Sequence, residues 1–210
     1  MKLFSLAAVL FAASTLLASP ADTGAFDKSD RERVLSELHA SRKQFLDAIA
    51  NLSQAQWTWK AGPDRWSIAE VAEHIIAAET FIGDMRTKQI MTSPADPGKA
   101  EQRHAAITKM DEGFLASLRD RSQKASAPGE IVPKGIYKTP KEAAEAFKAA
   151  REKTLDYVRT TNDPLREHFT KAFGSFEMDG VQALLMIAGH NERHVLQMLE
   201  VKASPGFPAK

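Results

Sequence analysis

Apolar residues recur every three or four positions along four long segments of this chain, a spacing that places them on one face of an α-helix. The four stripes are Val34, Leu38, Phe45, Ile49 and Leu52; Ile68, Val71, Ile75 and Ile82; Phe147, Leu155 and Val158; and Ala183, Ile187 and Val201. No alternating strand pattern and no internal repeat competes with them. Because each helix must bury its apolar face against another element, we expect an all-α fold, a four-helix bundle.

Residues typical of helix starts precede each segment. They are Ser29 with Glu32, Ser67 with Glu70, Thr139 with Pro140 and Glu142, and Asp179 with Gln182. The third helix is expected to end at Asn162, Asp163 and Pro164, and the fourth near Lys202. A weaker amphipathic stretch, EQRHAAITKMDEGFLASL, predicts an additional helix or loop segment between the second and third core helices.

The first 21 residues have the features of a secretory signal peptide: one charge at Lys2, an apolar run, and small residues at the expected cleavage site. The run is shorter than the roughly 20 residues that span a membrane, so no stable anchor is expected after cleavage. We therefore predict an exported protein, periplasmic or secreted. Its domain is expected at residues 22–203, followed by a flexible tail at 204–210.

Charge and cysteine content narrow the classes of function. Without Lys2, the chain has 27 basic and 27 acidic side chains and no long basic run. Nucleic-acid binding is therefore not expected, because proteins that bind phosphate backbones usually carry a basic excess. The chain has no cysteine, so any metal ion would be held by nitrogen and oxygen atoms.

Two histidines, His190 and His194, lie four residues apart on the predicted core face of the last helix. Burying two polar rings without partners would cost on the order of 1–3 kcal/mol each. A metal ion shared by both rings would compensate them, and so would ordinary hydrogen bonds to neighbouring groups. Glu192 points away from both rings, so it is predicted to be a solvated or partner-facing carboxylate rather than a general base.

A third candidate ligand, His74, lies on the edge of the apolar stripe of the second helix. The order and spacing of several short motifs resemble the DinB-like family over most of the chain. These are Arg65-Trp66-Ser67, His74, Glu79, Phe173-Gly174, His190, His194 and Gln197. The resemblance implies a DinB-like four-helix bundle in which His74, His190 and His194 bind one divalent metal ion. Zinc or nickel suits three imidazoles best, and manganese, iron and cobalt are alternatives.

Other polar residues near these histidines have structural and functional interpretations. We favour an ion pair or hydrogen bond for Glu79, with a supporting role at the metal as the alternative. Gln197 could hold a metal-bound water or bond a neighbouring helix. Arg193 could meet an anionic substrate, although a surface salt bridge explains it as well. Surface or loop positions are expected for His39, His104 and His168, and packing roles for Trp57, Trp59 and Trp66.

Three protein ligands leave metal coordination positions open to water or substrate, the arrangement of a catalytic site. Relatives in the family include thiol-dependent S-transferases, an isomerase that uses a thiol cofactor, and many hydrolases assigned only by inference. Because thiol cofactors should be scarce outside the inner membrane, export favours a metal-dependent hydrolase of a small molecule. The alternatives are a thiol-dependent S-transferase, or a non-catalytic metal- or ligand-binding bundle that forms a homodimer.

Overall fold

The computed structural model describes residues 25–122, 126–172 and 176–210 of the protein. Its helices are α1 (Lys28–Ile49), α2 (Gln54–Thr58), α3 (Ile68–Met85), α4 (Pro97–His104), α5 (Ile107–Arg119), α6 (Pro140–Thr160) and α7 (Gly180–Lys202). A π-helical turn, Arg86–Ile90, extends α3, and a 3₁₀ turn covers Gly129–Ile131. The strands are β1 (Phe169–Ala172) and β2 (Phe176–Asp179). The predicted signal peptide lies outside the described residues.

The four long helices α1, α3, α6 and α7 form the bundle. Both α1 and α3 pack against α6 and against α7, so the four helices close a ring around one interior. The additional segment contributes α5, which packs on the outer side of α7. The prediction of an all-α four-helix bundle with an inserted segment is therefore confirmed. Among the described residues, no helix is both long enough and apolar enough to cross a membrane.

Three of the four predicted helix starts are correct. Ser67 and Asp179 form reciprocal capping boxes with Glu70 and Gln182, and Thr139 caps α6. The start predicted for the first helix is wrong. Its cap is Asp27, whose carboxylate accepts the amide hydrogen of Asp30 at 2.7 Å, so Ser29 lies inside the first turn.

The sequence interpretation missed several short elements. Strands β1 and β2 form an antiparallel hairpin in which Phe169 pairs with Asp179, and the expectation of no strands is wrong. Strands of four residues are too short to show a clear alternating pattern. The inserted segment divides into α4 and α5, and the turn-rich connection before α3 begins with α2, capped by Ser53. Each of these is a connection between the bundle helices.

The apolar interior consists of two clusters stacked along the bundle. One gathers the first half of α7, from Val181 to Ala188, with α5 and with one end of α1, α3 and α6. The other gathers Val195, Met198 and Val201 with Trp57 and the opposite ends of those helices. On α7, His190 and His194 lie in the interval between the two clusters. Polar side chains of the other helices lie at the same level, as described below.

The last residues contact the start of the domain. The ring of Phe207 meets Trp59 edge-on, with 5.5 Å between ring centroids, and the Gln56 side chain donates a hydrogen bond to the Pro208 carbonyl at 3.0 Å. Gly206 adopts a φ of +83° beside Trp59, a conformation that favours glycine. These contacts lie within residues 204–210, the stretch predicted to be a flexible tail.

Candidate metal centre

Packing of α3 against α7 brings His74, His190 and His194 together. His190 and His194 are one helical turn apart, and their ring centroids are 4.4 Å apart. The Nε2 atom of His74 lies 3.2 Å from Nε2 of His190 and 3.2 Å from Nε2 of His194. His74 is buried, whereas His190 and His194 are partly exposed. The three rings therefore converge through one nitrogen each at a place that solvent reaches.

Hydrogen bonds on the far side of two rings fix which nitrogen carries the proton. Nδ1 of His74 lies 2.9 Å from the carbonyl oxygen of Ile131, and Nδ1 of His194 lies 2.8 Å from Oε1 of Gln197. Both oxygens are acceptors, so each Nδ1 is the donor and carries the hydrogen. In a neutral ring the other nitrogen then has a free lone pair. The Nε2 atoms of His74 and His194 thus face each other as two acceptors.

This arrangement fits a metal ion. Two acceptors 3.2 Å apart with no hydrogen between them repel each other, and a cation at their common centre removes the repulsion. Metal–nitrogen bonds of 2.0–2.1 Å in a tetrahedral site place nitrogens about 3.3–3.4 Å apart, close to the observed separation. Among the described residues, these three form the one group of histidine or acidic side chains with ligand atoms this close.

The surroundings keep the rings neutral, as metal ligation requires. Burial lowers the pKa of His74. Burial, together with the neighbouring His194 and His74, lowers the pKa of His190 well below its ordinary value. Burial and the positive charge that His74 would carry lower the pKa of His194 to about 3. All three shifts disfavour the charged ring, the form that cannot bind a metal ion.

Apolar side chains of α5 and of the connection before α3 pack on either side of the histidine cluster. Gly189 precedes His190, and a Cβ atom there would lie 2.9 Å from Cδ1 of Leu118 and 3.2 Å from Cδ2 of Leu115. Glycine therefore allows α5 to approach α7 closely beside the rings. On the other flank, the ring of Trp66 lies 5.0 Å from the ring of His74. Trp66 was predicted to serve packing, and the residue it packs against is a candidate metal ligand.

Comparison with known proteins assigns the family. The model of the DinB superfamily matches residues 37–198, a range that includes all three histidines. The chain belongs to the DinB superfamily. A relative of this chain, the uncharacterized protein YuaE of Bacillus subtilis (strain 168), is 22% identical over 168 residues, covering 80% of this chain and 96% of YuaE.

A solved structure with a similar fold is that of YfiT from Bacillus subtilis, described as a probable metal-dependent hydrolase with an unusual four-helix bundle topology. The two structures align with a TM-score of 0.53 and 13% sequence identity, covering 91% of this chain and 95% of YfiT. At this level of identity, the likeness establishes the DinB-type fold. The expected DinB-like bundle is thereby confirmed.

The three candidate supporting residues of this DinB-superfamily chain have different surroundings. Gln197 accepts a hydrogen bond from Nδ1 of His194 within α7, so it supports a candidate ligand and does not bond a neighbouring helix. Glu79 is buried and accepts hydrogen bonds from Arg151 at 2.7 and 2.9 Å, so the predicted ion pair is present. Arg193 donates to the backbone carbonyls of Leu118 and Asp120.

Other residues weighed from the sequence fall away from the rings. Glu192 is only 8% exposed and accepts a hydrogen bond from Arg119, so it faces a partner and the solvated interpretation is wrong. His39 and His104 are exposed, and Nδ1 of His168, half-buried in a loop, donates to the Ser93 carbonyl at 2.7 Å. Phe173 and Gly174 of the family pattern lie outside the described residues.

Several buried charged residues escaped the sequence interpretation, among them Arg151, Arg166 and Glu73. Arg151 interrupts the apolar stripe between Phe147 and Leu155, a signal that could have identified it. Arg166 is bonded to Asp30, Asp111 and Asp179 under the N-terminus of α7, and nothing in its loop sequence indicated this. Burial alone would lower the pKa of Arg166, but these carboxylates raise it. Glu73, next to His74 on α3, is also buried.

Proposed function

We propose that this DinB-superfamily protein binds one divalent metal ion through His74, His190 and His194 and hydrolyses a small molecule. The observation that carries the proposal is the convergence of three Nε2 atoms, two of them with fixed lone pairs, beside partly exposed rings. A divalent ion in such a site supplies a bound water of lowered pKa and polarises a substrate oxygen. Zinc or nickel suits the nitrogen donors best.

The chain's own residues have three tasks in this proposal. The three imidazoles bind the ion and leave coordination positions open, since no fourth protein ligand lies within reach among the described residues. The Ile131 carbonyl and the Gln197 side chain hold two of the rings in the required tautomer. Trp66 packs against the ring of His74.

One comparison and one prediction from the sequence support hydrolysis. YfiT, which shares the fold, is described as a probable metal-dependent hydrolase. The predicted leader at residues 1–21 would place the protein outside the cytoplasm, where thiol cofactors are expected to be scarce. Thiol-dependent transfer and metal binding without turnover are the outcomes against which hydrolysis is tested.

The test begins with metal analysis of protein purified without an affinity tag. We expect close to one equivalent of metal in the wild type and in His39→Ala, which removes an exposed histidine. His190→Ala should lose most of the metal while remaining helical by circular dichroism. Full metal occupancy in folded His190→Ala would remove His190 from the site. Absence of metal from the wild type after incubation with zinc or nickel would contradict the proposal.

The metal-loaded protein is then assayed with model esters and amides, and separately with an electrophile plus a thiol. Hydrolysis that His39→Ala keeps and His190→Ala loses supports the proposal. Turnover only in the presence of thiol replaces hydrolysis with S-transfer. Metal binding without any turnover favours a binding protein.

A further inference from the structure

Glu73 and His74 are neighbours on α3, and both are buried, with 5% and 2% of their surface exposed. A buried carboxylate needs several hydrogen bonds to offset the loss of water. Both side chains find backbone partners in one connecting stretch, residues 131–136, which begins at the last residue of the 3₁₀ turn Gly129–Ile131. The two neighbours therefore depend on the same piece of backbone.

The carboxylate of Glu73 accepts three successive backbone amide hydrogens. Lys134 donates to Oε1 at 2.6 Å, and Gly135 and Ile136 donate to Oε2 at 2.8 Å each. Successive amides that point at one anion form a nest, which requires a residue with positive φ. Gly135 supplies it, with a φ of +76°. Glu73 thus fixes the backbone at 134–136 through charge-assisted hydrogen bonds.

Three residues before this nest lies Ile131, whose carbonyl oxygen accepts the Nδ1 hydrogen of His74 at 2.9 Å. The position of that carbonyl decides which nitrogen of His74 faces the other two rings. At its far end, the stretch continues to Tyr137 and Lys138, which bond Trp57 and Glu142 at 3.3 and 2.8 Å. The attachment nearest to Ile131 on this side is the one made by Glu73.

We propose that Glu73 is a positioning residue for the metal centre: by holding residues 134–136 it places the Ile131 carbonyl that keeps the Nε2 lone pair of His74 directed at His190 and His194. The expected effect on metal binding rests on the proposed metal site, whereas the placement of the Ile131 carbonyl rests on the hydrogen bonds alone. Loss of the hydrogen-bond partner behind a metal-binding histidine typically lowers metal affinity about 10–100-fold.

The test uses Glu73→Gln, which keeps the shape of the side chain but removes the charge and turns an amide donor toward the nest. Nitrogen-15 NMR of the metal-free protein reports the tautomer of His74. We expect the wild type to carry the hydrogen on Nδ1, and Glu73→Gln to show a mixture. Zinc affinity, measured by competition with a chromophoric chelator, should fall about 10–100-fold in Glu73→Gln.

Glu142→Gln is the matched control, because Glu142 also accepts a backbone amide from this connection, at Lys138, but is exposed and belongs to α6. It should leave the His74 tautomer and zinc affinity unchanged. If Glu73→Gln does not fold, Gly135→Ala takes its place. The added Cβ has room, meeting only the Lys138 Nζ atom at 4.0 Å, but alanine disfavours the positive φ that the nest needs.

A folded Glu73→Gln, or Gly135→Ala in its place, that keeps the Nδ1 hydrogen on His74 and binds zinc as tightly as the wild type would overturn the inference. A wild type that binds no zinc contradicts the proposed function instead. In that case the NMR comparison of the metal-free proteins still decides the role of Glu73.

Discussion

Two groups of buried polar side chains lie between the same two apolar clusters, and they differ in how fully their hydrogen bonds are made. In one, Arg151 uses all three of its side-chain nitrogens: Nε and Nη2 on Glu79, and Nη1 on Ser41 and the Leu38 carbonyl. Thr154 adds a bond to Glu79. In the other, three histidines direct nitrogens at one point, and two of those nitrogens are acceptors without a hydrogen between them.

The difference separates a structural cluster from a candidate site. Both groups cost free energy to bury, but each side-chain nitrogen of Arg151 and both carboxylate oxygens of Glu79 have a partner within the protein. In the histidine cluster, Ile131 and Gln197 accept from the outer nitrogens of His74 and His194, but the inner Nε2 atoms of these two rings face each other without a hydrogen. A buried polar group that is incomplete in this way needs an external partner, and here the partner that fits is a cation.

The largest effect is expected when the ion pair of Glu79 and Arg151 is broken. Glu79→Ala leaves the Arg151 charge buried without its counter-charge, which should lower the free energy of unfolding by about 3–5 kcal/mol. Urea unfolding monitored by circular dichroism measures this loss. The double variant Glu79→Met with Arg151→Met removes both charges and should be much closer to the wild type. Equal losses in the single and double variants would contradict the satisfied ion pair.

A smaller effect is expected when zinc binds the histidine cluster. Free zinc at 100 times its dissociation constant should raise the free energy of unfolding by about 2.7 kcal/mol, since the unfolded chain has no assembled site. His194→Ala should abolish this gain, whereas His39→Ala should keep it. Unfolding curves with and without zinc measure the difference. A full gain in His194→Ala would show that the ion binds elsewhere.

The smallest effect is expected from changes at Gln197, which bonds the outer nitrogen of His194. Gln197→Leu removes the acceptor behind His194 and should weaken zinc binding about tenfold, at the lower end for such partners, because the half-buried Nδ1 can bond water instead. Gln197→Glu retains an acceptor and should bind zinc at least as tightly as the wild type. Chelator competition measures both. Unchanged affinity in Gln197→Leu would leave Gln197 without a role at the ion.

The sequence predicted those parts of the molecule that depend on neighbours along one helix. The starts of α3, α6 and α7 follow from side chains that cap their own first turn, and the spacing of His190 and His194 follows from the helical repeat. The start of α1 was misplaced because both Asp27 and Ser29 can cap a helix. Hairpin β1–β2 was missed because its strands are short.

Features that depend on distant partners could not be predicted. The Ile131 carbonyl behind His74 belongs to an irregular connection, where no periodicity indicates which backbone group faces inward. Glu73 looks like any acidic residue of an amphipathic helix, and its nest of amides comes from residues 61 to 63 positions away. Arg151 left a signal in its stripe, but the stripe does not say that Glu79 is its partner.

The three converging rings come from two distant parts of the chain, since His190 is 116 positions after His74. During synthesis the ribosome therefore releases one imidazole early and the other two only with the final helix. A chain in which α1 and α3 have already packed against α6 still holds a single ring of the three. In the proposed metal site, all three rings could therefore hold an ion only after the carboxyl-terminal helix has docked, which would make loading a late event in the maturation of the protein.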